Sequence, residues 1–281
     1  PGWGKPGEKA PMEGVPDNWM QTFTVNANPG ARRSGEIIFT GGMGKNVSVS
    51  VTQYGTDEFD WSQSFYHRSL FFVYTCAPDS FFDPGTYENA AAMAEESFPD
   101  RILHAALFRD GVLASPQSIQ MFDKNGIFGW PALLLDGYIR LQNGYDEIAY
   151  EDLVNAYRQN ETRESVSTAP IRPDLSGRKL TLDIQGYFKK AGPYKIHVML
   201  LEDGLVEYGR TNNHIVRSVL SDETGDPFTI DQDRTEKHFT FSTDIPAKYN
   251  LDKMSVLVYF DVPITASTYR VDNAFKIPVK E

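Results

Sequence analysis

The chain has 281 residues, 41% of them hydrophobic and 23% charged, a mix that packs a globular fold and is long enough for two or three domains. Its net charge of −11 and pI near 5.0 repel phosphate backbones, and no Lys/Arg stripe with interleaved aromatics is present, which excludes nucleic-acid binding. No apolar run is long enough to span a bilayer, and the single cysteine, Cys76, excludes an intramolecular disulfide.

Residues 1–19 are rich in Pro and Gly, lack periodicity and read as a tail or linker. They do not form a signal peptide, and they are expected to begin a chain whose export signal is already removed. From residue 20 to 56 the pattern predicts three short antiparallel strands, around Phe23–Val25, Ile37–Phe39 and Val47–Val51. Residues 57–165 alternate strands with helices. Leu70–Tyr74 is a continuous apolar run, as a central strand buried on both faces requires, and Ile102–Phe108 predicts a second buried strand. Tyr87, Ala90, Ala91, Ala94 and Phe98 share a helical spacing behind Pro84. Ser115-Pro116 opens a second helix that stops near Asn125-Gly126. Pro131–Leu135 predicts a third strand, Asp136-Gly137 a hairpin turn, and Ile148, Leu153, Ala156 and Tyr157 a last helix. From 166 to 281 the helices vanish. Strands are expected around Leu180–Ile184, Tyr194–Leu201, His214–Leu220, His238–Phe241, Ser255–Phe260 and Ala274–Pro278, as an antiparallel β-sandwich. The expected class is α+β and multi-domain.

Gly126-Ile127-Phe128-Gly129-Trp130-Pro131-Ala132-Leu133 resembles the thioredoxin segment around its cis-proline. Cys76-Ala77-Pro78-Asp79 follows a buried strand where that family carries Cys-x-x-Cys, and Pro84 sits at the spacing of the family's helix proline. The resemblance implies a thioredoxin-like α/β domain over 57–165 with Pro131 in the cis form. The second cysteine of the motif is Asp79 here, and dithiol exchange needs a resolving thiol. An adjacent carboxylate also disfavours the Cys76 thiolate. The domain is therefore expected to be redox-inactive, with Cys76, Asp79 and Pro131 as the only catalytic candidates. Tyr194–Gly204 followed by Asn212–Arg217 is similar to the outer-membrane-protein-28-related lipoproteins of the Bacteroidota, which join a thioredoxin-like domain to a β-sandwich. Asn26, the Arg32-Arg33-Ser34-Gly35 step into a strand and the closing Val51-Thr52-Gln53-Tyr54-Gly55 resemble the end of a BACON domain, a module proposed to bind carbohydrate or mucin.

These resemblances imply an exported lipoprotein of the cell envelope, at the outer membrane or cell surface. Its membrane contact would be only through a lipid anchor outside this sequence. It is expected to bind or scaffold a glycan, a peptide or an envelope protein without catalysis. The alternative is a monothiol oxidoreductase using Cys76. Candidate binding residues are Trp130, beside the suspected cis-proline, and Asn213, His214 and Arg217, the most polar cluster of the sandwich. Trp130 could present a platform for a peptide or sugar ring, or cover the altered motif. The polar cluster could take an anion or sugar hydroxyl, or pin a loop to a strand. No cofactor and no metal is expected. The other histidines show no ligand-like spacing, and Asp226, Asp231 and Asp233 lack the Gly and terminal Glu of a calcium loop. Glu202 and Asp203 point to opposite faces of one strand, which rules out a glycosidase pair.

Overall fold

The computed structural model describes residues 33–40, 46–53, 59–76, 85–143, 150–207 and 209–280. Asp79, Pro84 and the first expected strand near Phe23 lie outside these residues. The chain divides into two compact units, Pro1–Gln63 and Ser64–Glu281. In the first, β1 (Arg33–Thr40) and β2 (Asn46–Gln53) form an antiparallel ribbon with Ile37 opposite Val49. β1 alternates exposed and half-buried positions from Ser34 to Phe39, while β2 is exposed from Asn46 to Ser50.

The second unit begins with β3 (Phe65–Tyr66), β4 (Ser69–Thr75), α1 (Gly85–Ser97), β5 (Ile102–Phe108), α2 (Pro116–Lys124), β6 (Ala132–Leu135), β7 (Ile139–Asn143) and α3 (Tyr150–Arg158). Every residue of β4, β5 and β6 is buried, because these strands are covered on both faces. β4 and β5 run parallel, while β6 is antiparallel to both β4 and β7. Local chemistry sets the element ends. Ser115 caps α2 through a reciprocal pair of bonds with Ser118, and Pro116 occupies the first turn, where its missing N–H costs nothing. Asp136 and Gly137 both take positive φ (52° and 75°) in the turn from β6 to β7, the backbone of a tight hairpin.

The remainder is all strand apart from a 3-10 turn at Leu251–Lys253: β8 (Glu164–Ser165), β9 (Ser167–Thr168), β10 (Ile171–Ser176), β11 (Lys179–Phe188), β12 (Gly192–Glu202), β13 (Leu205–Glu207), β14 (Arg210–Asn212), β15 (Ile215–Val219), β16 (Asp226–Ile230), β17 (Thr235–Asp244), β18 (Met254–Pro263) and β19 (Tyr269–Pro278). β9, β10, β11 and β17 make a four-stranded sheet. The others of note join the helical part in one nine-stranded sheet, ordered β19-β18-β12-β15-β5-β4-β6-β7, with β16 also paired to β12.

The boundary expected at 165/166 thus falls inside one compact unit. β15 lies parallel to β5, and Ala106 N donates to the His214 carbonyl at 2.9 Å. β12 and β18 serve two cores because side chains alternate along a strand. Val198, Leu200, Val256 and Val258 face the four-stranded sheet with Leu180, Leu182 and Ile184. Met199, Leu201, Leu257 and Tyr259 face a core shared with β4, β5 and α2, including Phe72, Tyr74 and Phe122. A third core packs α1 and α3 against the opposite face of β4 and β5. A polar knot ties β19 to β4 and to the expected boundary. Asp272 accepts from Val166 N, Ser167 N and the Ser167 hydroxyl, and its carbonyl accepts from the Ser165 hydroxyl and bonds His67 Nδ1. His67 Nε2 and Arg163 both reach Asp136 Oδ2 at 3.0 Å.

Candidate functional site

The Trp130–Pro131 peptide bond is cis. Ala132 stands opposite Tyr74, so Pro131 and Cys76 lie at the same end of the sheet. Cys76 is only 1% exposed, which keeps its sulfur from solvent. Trp130 stands edge-on to Phe122 (6.1 Å between centroids), and the Arg109 guanidinium lies 4.8 Å from its ring centroid. It is half-buried and packs against the shared core.

The polar trio of the sandwich is split. Arg217 turns inward. Its Nε lies 3.3 Å from Glu202, its Nη1 donates to the Leu113 carbonyl, and its guanidinium stacks 4.8 Å from Tyr249. Asn213 accepts from Gly204 N, and its own N–H donates to Glu88. Asn213 thus links the turn after β12 to α1, and Arg217 links β15 to the loop before α2. Burial pushes the Glu88 carboxyl up to about 7, against the Asn213 hydrogen bond and the nearby His214 and Arg210 charges.

His214 does something else. It adopts φ +55°, rare for a residue with a β-carbon, and is held there by three bonds. Its N–H and its Nδ1 both meet Asp203 Oδ1 (2.6 and 3.0 Å), and its carbonyl accepts from Ala106. The ring stands edge-on to His104, 4.3 Å between centroids. His104, on β5 and 1% exposed, donates its backbone N–H to Glu95 Oε2 on α1, and its Nδ1 lies 2.7 Å from the same oxygen. Lys276 from β19 bonds the other Glu95 oxygen and lies 3.3 Å from His214 Nε2. Burial alone would raise the Glu95 carboxyl, but the His104 hydrogen bond and the His104, Lys276 and His214 charges outweigh it and bring it down to about 2. Burial lowers His104 to about 4, despite the hydrogen bond to Glu95. Glu95 and Lys276 were not singled out in the sequence, because nothing in their spacing ties them to His104 or His214.

A cleft of about 410 Å³ opens beside β12, β18 and α2. Phe72, Tyr74, Tyr259, Met121 and Val271 line its apolar part, and Lys124, Lys195, His197, Glu223, Asp261 and Tyr269 its polar part. His197 and Tyr259 are register partners on β12 and β18, and their rings stack at 4.2 Å and 10°. Gly225, at φ +80°, lies against the His197 ring edge, where a β-carbon would fall 2.3 Å from Nε2. His197 Nε2 also meets Asp261 Oδ2 at 2.9 Å. The second atom of each partner, His197 Nδ1 and Asp261 Oδ1, is buried without a hydrogen-bond partner. Unmatched buried polar atoms are rare, and these two are closed to solvent beside the cleft. At the rim the Lys195 ammonium lies 4.3 Å from the Tyr269 ring centroid.

No family profile matches the chain, and no curated protein matches it. Among solved structures it is similar to HBP35 of Porphyromonas gingivalis, with TM-score 0.65 and 16% identity, over 78% of this chain and 77% of that one. That likeness concerns the fold.

Proposed function

We propose that this is a non-catalytic binding protein of a bacterial cell envelope, taking a short, neutral glycan in the cleft between β12, β18 and α2. The observation that carries the reading is the cleft itself. It joins aromatic and apolar surface, from Tyr259, Tyr269 and Met121, to donors and acceptors such as Lys195, Thr268 and Glu223. Sugars offer apolar ring faces and hydroxyls that both donate and accept, and the lining matches both. The rim charges are mixed, Lys124 and Lys195 against Glu223 and Asp261, which favours a neutral ligand over an anion.

The topology supports a thioredoxin-like core: strand order β5-β4-β6-β7, β4 and β5 parallel, β6 antiparallel, and a cis-proline entering β6. Against thiol chemistry there stands the burial of Cys76. The envelope location rests on the resemblance to the Bacteroidota lipoproteins, with which the likeness to a protein of that phylum agrees.

Calorimetric titration with a panel of plant and mucin-type oligosaccharides tests the reading. Tyr269→Ala and Lys195→Ala, both at the half-buried rim, are expected to weaken the best ligand about tenfold, roughly 1.4 kcal/mol, without changing the melting temperature. Absence of binding across the panel, or binding indifferent to both substitutions, would remove the cleft from consideration.

A further inference from the structure

The cluster formed by Glu95, His104 and His214 shares no residue with the cleft. α1 supplies Glu95, β5 supplies His104, and His214 stands where the chain enters β15. One ligand atom from each lies within 4.8 Å of the other two. We propose that these three side chains form a binding site for a divalent cation of the zinc class, and that the Lys276 ammonium is a built-in cation that the metal displaces.

The donor set is two imidazoles and a carboxylate, which suits zinc and leaves a fourth position open for water or another ligand. Four-coordinate zinc with bonds near 2.0–2.1 Å sets its donor atoms about 3.3 Å apart. His214 Nε2 to Glu95 Oε2 is 3.9 Å, and His104 Nδ1 to the same oxygen is 2.7 Å. Shifts of about half an ångström, within reach of a side-chain rotation, bring both to that spacing. Two features prepare the site. Asp203 holds the His214 ring through Nδ1, the arrangement in which a carboxylate behind a histidine orients it and raises its basicity. The positive φ of His214 is fixed by bonds to Asp203 and Ala106, so its ring is placed by the backbone rather than by chance.

The protein's own groups do not complete the cluster. Lys276 neutralises Glu95 but can only donate, and it carries one charge beside two carboxylates, Glu95 and Asp203. A dication matches that charge and accepts the histidine lone pairs that an ammonium does not need. The lysine arm is long, and its side chain keeps some exposure (16%), so it can swing outward without opening the core.

The test uses the whole chain, stripped with a chelator and titrated with Zn²⁺ by calorimetry and with Co²⁺ by visible absorption. The expected result is stoichiometric Zn²⁺ uptake and the intense bands of four-coordinate Co²⁺. His214→Ala should lose at least about a hundredfold in affinity. Asp203→Asn, which keeps the fold if His214→Ala does not, should lose about tenfold. Lys276→Met should bind more tightly than the wild type, because the competing cation is gone. His238→Ala, at an exposed histidine beside Glu236, should change nothing. The proposal is overturned if the wild type binds no better than His214→Ala, or if the affinity follows His238. It is equally overturned if only Lys276→Met binds, since the lysine is then the resident cation of the native protein.

Discussion

At the scale of single residues, the least comfortable group is Glu88. It is buried on α1, accepts one backbone hydrogen bond from Asn213, and is raised to about 7. An acid whose folded value lies above its ordinary 4.5 makes the folded state hold more protons than the unfolded one. Stability therefore falls as pH rises from about 4.5 to about 7 and levels off above that. The shift corresponds to about 3 kcal/mol at most. Glu88→Gln keeps an acceptor for Asn213 and removes the charge. It is expected to stabilise the protein at pH 8 and to have little effect at pH 4.5, as read by urea melts at the two values. An equal effect at both would show that Glu88 is not ionised differently in the two states. Cys76 gives a second residue-scale prediction. With 1% exposure, its alkylation in the native protein should run about a hundredfold slower than in urea, with no inflection below the ordinary thiol range. A fast native reaction would return the thiol to the list of catalytic groups.

At the scale of elements, what was legible in the sequence depended on whether the deciding forces were local. β5 runs Ile102–Phe108, the bounds read from the sequence, because a strand covered on both faces is apolar at nearly every position, the buried His104 being the exception. The ends of α2 were readable from Ser115-Pro116 and Asn125, since capping is a contact over three or four residues. β13 (Leu-Val-Glu) and β14 (Arg-Thr-Asn) carry no such signal, and they exist because each pairs the other. The candidate sites fall in the same class. His197, Tyr259 and Asp261 meet through the register of β12 on β18, and nothing within either segment encodes it. Asn213, His214 and Arg217 were visible as a polar cluster, but their partners come from α1, β12 and the loop before α2. Gly225 tests the register argument. An alanine there meets both a positive φ and a β-carbon 2.3 Å from His197. Gly225→Ala should cost about 1–3 kcal/mol and tilt the His197 ring off Tyr259. The expected companion effect is weaker glycan binding at the cleft, and an unchanged melting temperature would contradict the packing described.

At the scale of the molecule, the question is whether residues 64–281 unfold as one body. The sequence divides there into a helical half and a β half, and composition alone favours two independent domains. The structure supplies a reason why that division need not be thermodynamic. Met199, Leu201, Leu257 and Tyr259 fill a core whose other wall is β4, β5 and α2. Cutting the halves apart would return those four side chains to water, at about 1.5–3 kcal/mol each. The sum, roughly 6–12 kcal/mol, is as large as the stability of an ordinary domain. The cut would also strip Asp272 and Val271 of their bonds to His67 and Arg163. The expectation is a single urea transition for 64–281. Trp130 is the only tryptophan in that stretch and reports the helical half, while far-UV circular dichroism reports the strands of both. The two signals should trace one curve, and residues 166–281 expressed alone should fail to fold as a monomer. Two separated transitions, or a folded fragment, would mean that the shared core is an interface between autonomous domains. In that case His104 on one side and His214 on the other would move apart when the interface opens, and metal affinity would fall in the same urea range as the first transition.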